Sequence, residues 1–230
     1  MAVIYDTTMS PSKLELLTAW LPAQPWYLGR GREPDLTKAG GFRLDDPEGE
    51  VGIEFMLVTD RSEGRVVTYQ VPLAYRGRAL AGSSGGLIGT SEHGVLGPRW
   101  IYDGTRDPVL VAQLVAAIQG EAEPQAQNVS HTPDPTVTGH PVTGGPLIAV
   151  GPMVTADTPS ATEIWVETAD PDGTPSGQLV VRINRILRPA DDMASAGQPC
   201  LSAAWPLADG TRVRSVLATA QYTHVRRPGR

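Results

Sequence analysis

Glycine and proline divide this chain into short segments. The sequence has 25 glycines and 21 prolines among 230 residues, and both residue types interrupt regular elements and favour turns. A chain punctuated this often is typical of many short strands joined by turns rather than of a helical bundle. At this length it can bury an ordinary hydrophobic core, as one large domain or as two small ones.

Two segments nevertheless carry the start signals of helices. Ser10 is the expected N-cap of the first helix, because its hydroxyl can accept hydrogen bonds from free backbone amides and Pro11 suits the first helical position. Leucines then recur on one face of this helix until Pro22 ends it. The second helix is predicted from Asp107-Pro108 to Gly120, with a capping carboxylate at its start and a glycine at its end.

Several other segments predict strands. Residues 51–59 and 65–75 are rich in β-branched and aromatic residues and flank a short polar loop, so they predict an antiparallel hairpin. Trp100 and Tyr102 alternate with Ile101 as on a strand, and we expect both rings to face the core. In the C-terminal third, short apolar or alternating runs are separated by turn signals, which indicates a region that is nearly all β.

Composition divides the chain into four parts. Residues 1–120 form the predicted α+β domain, and residues 121–146 predict a linker or long loop because they are rich in Pro, Thr, Gln and Asn and lack an apolar period. Residues 147–225 are the β-rich part, and residues 226–230 are a basic tail. The formal net charge of -6 argues against nucleic acid or an anionic membrane as a partner.

Residues that bind metals or form disulfides are few. Cys200 is the only cysteine, so an intramolecular disulfide is excluded and a buried, small apolar role is expected. The four histidines show no close metal-ligand spacing, so no metal site is predicted. The N-terminus reads as lacking a secretory signal, and no apolar run is long enough to span a membrane, so we expect a cytoplasmic location.

Four short motifs in the N-terminal half have the order and spacing of one known family. They are the aromatic and basic segment 20–32, the strand sequence Tyr-Gln-Val-Pro-Leu at 69–73, Leu-Ile-Gly at 87–89, and Arg-Trp-Ile-Tyr-Asp-Gly at 99–104 followed by Asp107-Pro108-Val109. Together these motifs resemble the N-terminal cap region of actinobacterial maltokinases. The resemblance covers about residues 1–120.

The resemblance implies an α+β fold, in which a curved antiparallel sheet with packed helices, a cystatin-like cap, precedes a β-rich C-terminal part. In the full-length kinases the cap is followed by a β-rich intermediate subdomain and then by a helical catalytic lobe. Residues 147–220 faintly resemble that intermediate subdomain, and Arg182 stands where its phosphate-pairing lysine would be. Arginine is a poor substitute for the compact charge of lysine at a nucleotide phosphate.

The residues that phosphoryl transfer requires do not occur together in this chain. The maltokinase-like catalytic loop, which places His, Asp and a later Asn or Gln together, is absent from the sequence. The Asp-Gly pairs that begin at Asp103, Asp172 and Asp209 superficially resemble a metal-binding pair, but such pairs are ordinary turn sequences. We therefore expect no catalytic residue and no cofactor.

Three functional hypotheses follow. The first, from the resemblance, is a non-catalytic interaction or regulatory module linked to maltose, α-glucan or trehalose metabolism, with a protein partner in that metabolism. The second is a protein that binds a small carbohydrate or another metabolite. The third is a divergent, ATP-dependent sugar kinase, for which a catalytic loop is missing. Similarity of a cap region does not by itself transfer the reaction of a kinase to this chain.

Trp26, Tyr27, Arg30 and Arg32 are the candidate ligand- or partner-binding residues. Two alternatives apply to this aromatic segment, which begins at Trp20. In the first, the rings pack the first helix and the following turn against the sheet, since large aromatic side chains dominate core energetics. In the second, one ring stays exposed and stacks on a sugar or on a protein partner, with the arginines beside it. Exposure of the rings distinguishes the two.

Overall fold

The structure of the protein is a computed structural model. Residues 226–230, predicted as a basic tail, and the pair Asp172-Gly173 lie outside the described residues. The structure describes residues 7–29, 31–80, 86–141, 148–149, 153–169, 174–189, 198–207 and 209–224.

The first helix, α1, extends over Lys13–Trp20 and begins later than predicted. Its N-cap is Ser12 and not Ser10. The Ser12 hydroxyl accepts a hydrogen bond from the Glu15 amide at 3.3 Å, and the Glu15 carboxylate accepts one from the Ser12 amide at 2.7 Å. This reciprocal pair satisfies two backbone amides, whereas Ser10 offered a single cap. After α1, a 3-10 turn over Leu21–Ala23 continues the chain past the expected end of the helix.

The second helix, α2, extends over Pro108–Gln119 and confirms the predicted boundaries. Asp107 Oδ1 accepts hydrogen bonds from the amides of Val109 at 2.9 Å and Leu110 at 3.3 Å. At the other end, Gly120 adopts φ 78°, in the left-handed region that glycine occupies without a steric cost. Both helix ends are therefore capped as local sequence signals indicate.

The strands are numbered along the chain. Their bounds are β1 Met9–Ser10, β2 Leu36–Leu44, β3 Val51–Asp60, β4 Val67–Arg76, β5 Leu87–His93, β6 Gly97–Asp103, β7 Gln125–Ala126, β8 Val137–His140, β9 Ile148–Ala149, β10 Val154–Asp157, β11 Ala161–Ala169, β12 Pro175–Asn184, β13 Ile186–Leu187, β14 Cys200–Pro206 and β15 Arg212–His224. Every strand pairing that the structure describes is antiparallel.

These strands form two sheets. The N-terminal sheet has the order β1-β5-β6-β4-β3-β2-β7, and β13 pairs with part of the β4 edge. The C-terminal sheet has the order β10-β11-β12-β15-β14-β8, and β9 pairs with β11. The predicted hairpin is confirmed, because β3 and β4 are antiparallel neighbours with Phe55 opposite Pro72. The β-rich C-terminal part is also observed.

Helix α2 lies between the two sheets. Its apolar residues share one core cluster with one face of each sheet, and this cluster includes Tyr102 with Trp100 packed against it, as predicted. Helix α1 covers the opposite face of the N-terminal sheet, where a second cluster contains Leu17, Trp26 and Ile101. Strands β3 and β4 are therefore covered on both faces, which explains their nearly continuous burial.

The segment predicted as a linker contains paired strands. Strand β7 joins the N-terminal sheet beside β2, and β8 joins the C-terminal sheet beside β14. The chain later returns to the N-terminal sheet through β13. The chain therefore passes between the two sheets several times, and the sheets share one core cluster. The division into domains at residues 120 and 147 stays a prediction.

Arg185, between β12 and β13, is a buried cation at the junction of the two sheets. Its side chain is 0% exposed. Its Nη2 donates hydrogen bonds to Asp103 Oδ2 at 2.5 Å and Thr105 Oγ1 at 3.0 Å, and its Nε donates to Thr162 Oγ1 at 2.7 Å. Its guanidinium carbon lies 4.8 Å from the centre of the Trp26 ring, within the range of a cation–π contact. One side chain therefore connects both sheets with the turn that follows α1.

The edge of β4 beside Arg185 has a gap between its two partner strands. Strand β13 pairs with residues 68–69 and β6 with residues 73–76. Within the gap, the Gln70 amide donates to the Arg185 carbonyl oxygen at 2.8 Å. Successive amides of a strand point to opposite edges, so the backbone nitrogen of residue 72 also faces this gap. Pro72 has no N–H to leave unsatisfied there.

The coarse fold expectation is confirmed: the protein is α+β, with mostly antiparallel sheets and few helices. The cystatin-like arrangement stays an expectation from the resemblance. Cys200 is buried as predicted, with 1% of its surface exposed. None of the described helices combines the length and the apolar character needed to cross a membrane.

Replacing Arg185 with methionine is expected to lower the free energy of unfolding by about 3–5 kcal/mol, because the Asp103 carboxylate would stay buried without its partner. The matched control is Arg182→Met. The side chains of Arg182 and Glu163 are 37% and 29% exposed, so loss of this pair should cost about 1 kcal/mol or less. Urea denaturation at neutral pH measures both values, and equal losses would contradict the role assigned to Arg185.

Candidate functional site

The predicted binding segment packs against the N-terminal sheet through its second tryptophan. Trp26 is 0% exposed. The centre of its ring lies 5.8 Å from those of Trp20 and Tyr69, and the Arg185 guanidinium lies over it. A ring enclosed in this way cannot stack on a ligand while the fold is intact. Of the two alternatives for this segment, Trp26 therefore follows the first, in which the ring packs against the sheet.

The neighbouring polar residues contact the loop between β3 and β4. Tyr27 is partly exposed, and its hydroxyl donates to Asp60 Oδ2 at 2.9 Å. Burial and this hydrogen bond raise the pKa of Tyr27 to about 12, so the phenol stays protonated at neutral pH. Arg32 is exposed, and its Nη1 donates to the Ser62 carbonyl oxygen at 3.4 Å. Arg30 lies outside the described residues, and a binding role for Tyr27, Arg30 and Arg32 stays a prediction.

A cavity of about 480 Å³ lies on the same face of the sheet, beside the start of α1. The start of α1, strands β2, β3 and β4, the β5–β6 hairpin and the residue after β7 enclose it. We call it the Glu54 cavity; its charged and polar lining includes Lys13, Arg43, Glu54, Tyr75, His93, Arg99 and Gln127, and its apolar lining includes Met9, Leu14, Ile53 and Leu96. The four residues predicted from the sequence do not line it.

The carboxylate of Glu54 lies at the wall of this cavity with three donors around it. Lys13 Nζ is 2.6 Å from Oε2, the Tyr75 hydroxyl is 2.5 Å from Oε2, and Gln127 Nε2 is 2.5 Å from Oε1. Only 5% of the Glu54 side chain is exposed. Burial of a carboxylate costs several kcal/mol unless paired charges and hydrogen bonds offset it, and these donors supply that compensation.

Register places the members of this network on one face. Glu54 of β3 is opposite Leu73 of β4 on one side and Arg43 of β2 on the other. Directly opposite residues of antiparallel strands project to the same face, and so does Tyr75, two residues beyond Leu73. Lys13 is the first residue of α1, which covers this face. The sheet and the helix start therefore converge on the carboxylate.

Gln127 reaches Glu54 past Gly41 of β2, one residue beyond the bulge between Lys38 and Gly40. Gly41 has φ 141°, and a Cβ atom there would lie 2.7 Å from Gln127 Nε2 and 2.3 Å from the Phe55 carbonyl oxygen. Both the backbone conformation and the close approach require glycine. The glycine thus makes room for the amide that binds Glu54 Oε1.

The network keeps Glu54 charged and Tyr75 protonated. Burial, the largest single influence, acts to raise the pKa of Glu54, but the charge of Lys13 and the hydrogen bonds from Lys13, Tyr75 and Gln127 outweigh it and hold this pKa below its usual 4.5. Burial and the neighbouring Glu54 charge raise the pKa of Tyr75 well above its usual 10.0. At neutral pH the cavity wall therefore presents a carboxylate, an ammonium group, a phenol and an amide.

This arrangement suits the binding of a polar small molecule. Its convergent donors and acceptors lie beside apolar side chains, the usual composition of a ligand pocket. Among the residues that the structure describes, no group of three or more His, Cys, Asp and Glu side chains is placed to hold a metal ion. The site offers hydrogen bonds and charge.

Sequence reasoning missed this cavity although one signal was present. Glu54 is the only charged residue of the apolar run 51–58, and a charge in the middle of a buried strand needs partners. The partners themselves could not be read locally, because Lys13 and Gln127 are 41 and 73 residues away in the chain.

Trp26→Ala is expected to lower the free energy of unfolding by about 3–5 kcal/mol, because it empties a filled part of the core. Trp20→Ala is the matched control and should cost less, since Trp20 is only partly buried. Urea denaturation compares the two variants. A Trp26 variant that keeps the stability of the wild type would argue against the packing role.

Glu54→Gln is expected to destabilise the protein at neutral pH and to have a smaller effect in acid. A carboxylate whose folded pKa is depressed contributes stability above its unfolded pKa, and this contribution is lost as the pH falls through the folded value. The difference in unfolding free energy between wild type and variant should therefore shrink below the usual pKa of 4.5. Urea denaturation between neutral and acidic pH measures it, and a difference independent of pH would refute the assignment.

Comparison with known proteins identifies part of the chain. Residues 20–107 match the family model of the maltokinase N-terminal cap domain. The matched segment contains Trp26, Glu54, Tyr75 and Asp103, whereas Arg185 and Gln127 lie beyond it. A search of curated proteins found no significant match to the chain.

Proposed function

We propose that this chain, whose residues 20–107 belong to the maltokinase N-terminal cap domain family, is a non-catalytic binding module of maltose- or trehalose-related metabolism that holds a small carbohydrate in the Glu54 cavity. The family match supports the metabolic context, and the cavity supports the binding role. The observation that carries the proposal is a charged, buried carboxylate held open to a cavity by donors from three separate parts of the chain.

The chemistry of the lining fits a sugar. A carboxylate and an amide oxygen accept hydrogen bonds from sugar hydroxyls, and an ammonium group and an amide N–H donate to them. Leu14, Leu96 and the ring of Tyr75 also line the cavity and provide apolar surface for the C–H groups of a pyranose. The volume of about 480 Å³ falls within the usual range of small-molecule pockets.

A protein-docking role for the segment 26–32 receives less support from the contacts. Its central ring, Trp26, is buried, and Tyr27 and Arg32 are engaged with Asp60 and Ser62 of the neighbouring loop. Aromatic residues that dominate interfaces are those that a partner can desolvate. We therefore place the binding site of the non-catalytic module in the Glu54 cavity and not at the segment 26–32.

Titration calorimetry with maltose, trehalose, glucose and maltooligosaccharides is the direct test. We expect the wild type to bind at least one of these sugars, and Glu54→Gln to weaken that binding by about tenfold or more, because a charged acceptor is lost. Glu163→Gln removes a carboxylate from a surface ion pair on the other sheet and should leave binding unchanged.

A second pair of variants separates binding from folding. Leu96 lines the cavity at the tip of the β5–β6 hairpin and is 43% exposed, and its neighbour Val95 is 58% exposed without lining the cavity. Leu96→Trp should block the ligand, whereas Val95→Trp should not, although both add the same ring to the same turn. Absence of binding to every sugar, or equal affinity in both tryptophan variants, would refute the proposed site.

A further inference from the structure

The cationic side chains that line the Glu54 cavity are not all matched by acids. Lys13 pairs with Glu54 at 2.6 Å, and Arg43 lies 3.8 Å from Asp45. Arg99, the third cation of the lining, makes no hydrogen bond or ion pair with another residue that the structure describes. One positive charge therefore faces the cavity in excess.

The fold fixes where this charge lies. Arg99 is on β6 opposite Ser91 of β5, and the same face of the hairpin carries His93. A Cβ atom at Gly77 would lie 2.7 Å from Arg99 Nη1, so the guanidinium rests against the backbone just beyond β4. The adjacent Glu92 alternates to the opposite face of the hairpin and does not oppose Arg99.

His93 responds to this excess charge. Its Nδ1 accepts hydrogen bonds from the amides of Val95 at 3.3 Å and Leu96 at 3.1 Å. Burial lowers the pKa of His93 below its usual 6.5, and the charges of Arg99 and Lys13 lower it further. Arg99 and Lys13 therefore place positive charge on this side of the cavity, and a positive potential attracts anions.

We infer that the ligand of the Glu54 cavity is an anionic sugar derivative, whose phosphate or carboxylate group binds Arg99 while its hydroxyls contact Glu54, Lys13 and Gln127. This inference rests on the proposed function. The guanidinium presents donors in a planar fork that matches the oxygens of a phosphate or carboxylate. An anion next to Arg99 would also neutralise the one lining cation without an acidic partner among the described residues.

The test compares neutral and anionic probes of the same ring. We expect glucose 6-phosphate or glucuronate to bind the wild type about tenfold or more tightly than glucose, as a charge-assisted hydrogen bond implies. Arg99→Gln should remove this advantage, so that glucose 6-phosphate and glucose bind with similar affinities. Arg212→Gln, an exposed arginine on β15, should leave all affinities as in the wild type.

A second readout follows the His93 proton by NMR. The pKa of His93 should rise when glucose 6-phosphate binds, because the anion offsets the charges of Arg99 and Lys13, and should stay nearly unchanged with glucose. In the free protein, Arg99→Gln alone should raise this pKa toward its usual 6.5. The signal therefore links the anion to Arg99 and not to general folding.

The outcomes distinguish this inference from the function on which it rests. Equal or tighter binding of neutral sugars would overturn the anionic ligand and leave the carbohydrate site standing. Inorganic phosphate that binds as tightly as glucose 6-phosphate would overturn the sugar part of the inference. Failure of all neutral and anionic sugars to bind would refute both proposals together.

Discussion

The relative arrangement of the two sheets depends on one buried guanidinium. Removing Arg185 from water is costly unless its donors meet acceptors. The acceptors of its Nε and Nη2 come from distant parts of the chain, namely Asp103 at the end of β6, Thr105 just after it and Thr162 on β11, whereas Nη1 has no hydrogen-bond partner among the described residues. The Trp26 ring covers the cation. Because these groups meet only when both sheets are formed and adjacent, the ion pair favours a single relative arrangement of the two halves.

The face of the N-terminal sheet beneath α1 has two different ends, although the same two central strands form both. At one end the rings of Trp20, Trp26 and Tyr69 fill the space between helix and sheet. At the other end Glu54 and Tyr75 occupy equivalent strand positions and leave a cavity. The aromatic contacts pack the last residue of α1 against the turn and the sheet, and Lys13, the first residue of the same helix, reaches Glu54.

Local sequence signals correctly predicted those elements whose ends or pairing are determined by residues nearby in the chain. The boundaries of α2 followed from Asp107, Pro108 and Gly120, and the β3–β4 hairpin followed from its strand composition and short loop. The start of α1 was misplaced because two serines compete there, and the capping box formed by Ser12 and Glu15 satisfies more backbone groups than Ser10 could.

The Glu54 cavity could not be predicted from local sequence signals, because its contacts join residues that are distant in the chain. A charged residue such as Glu54 can be recognised within an apolar strand, but its partners are set by the packing of α1 and of the segment after β7. Arg185 likewise lies in a run of ordinary strand sequence, and its partner Asp103 is 82 residues away. The aromatic motif near the start was recognised correctly, yet whether its rings face water or the core depends on contacts with Tyr69 and Arg185.

The gap along the edge of β4 bears on self-association. An unpaired strand edge normally offers alternating donors and acceptors that a strand from another molecule can extend. Here the Gln70 amide already donates a hydrogen bond to the Arg185 carbonyl oxygen. The next residue of β4 whose backbone nitrogen faces the gap is Pro72, which has no N–H to donate. An incoming strand would find no continuous ladder to join, so this interruption in the sheet is protected against edge-to-edge aggregation by the same residues that hold the two sheets together.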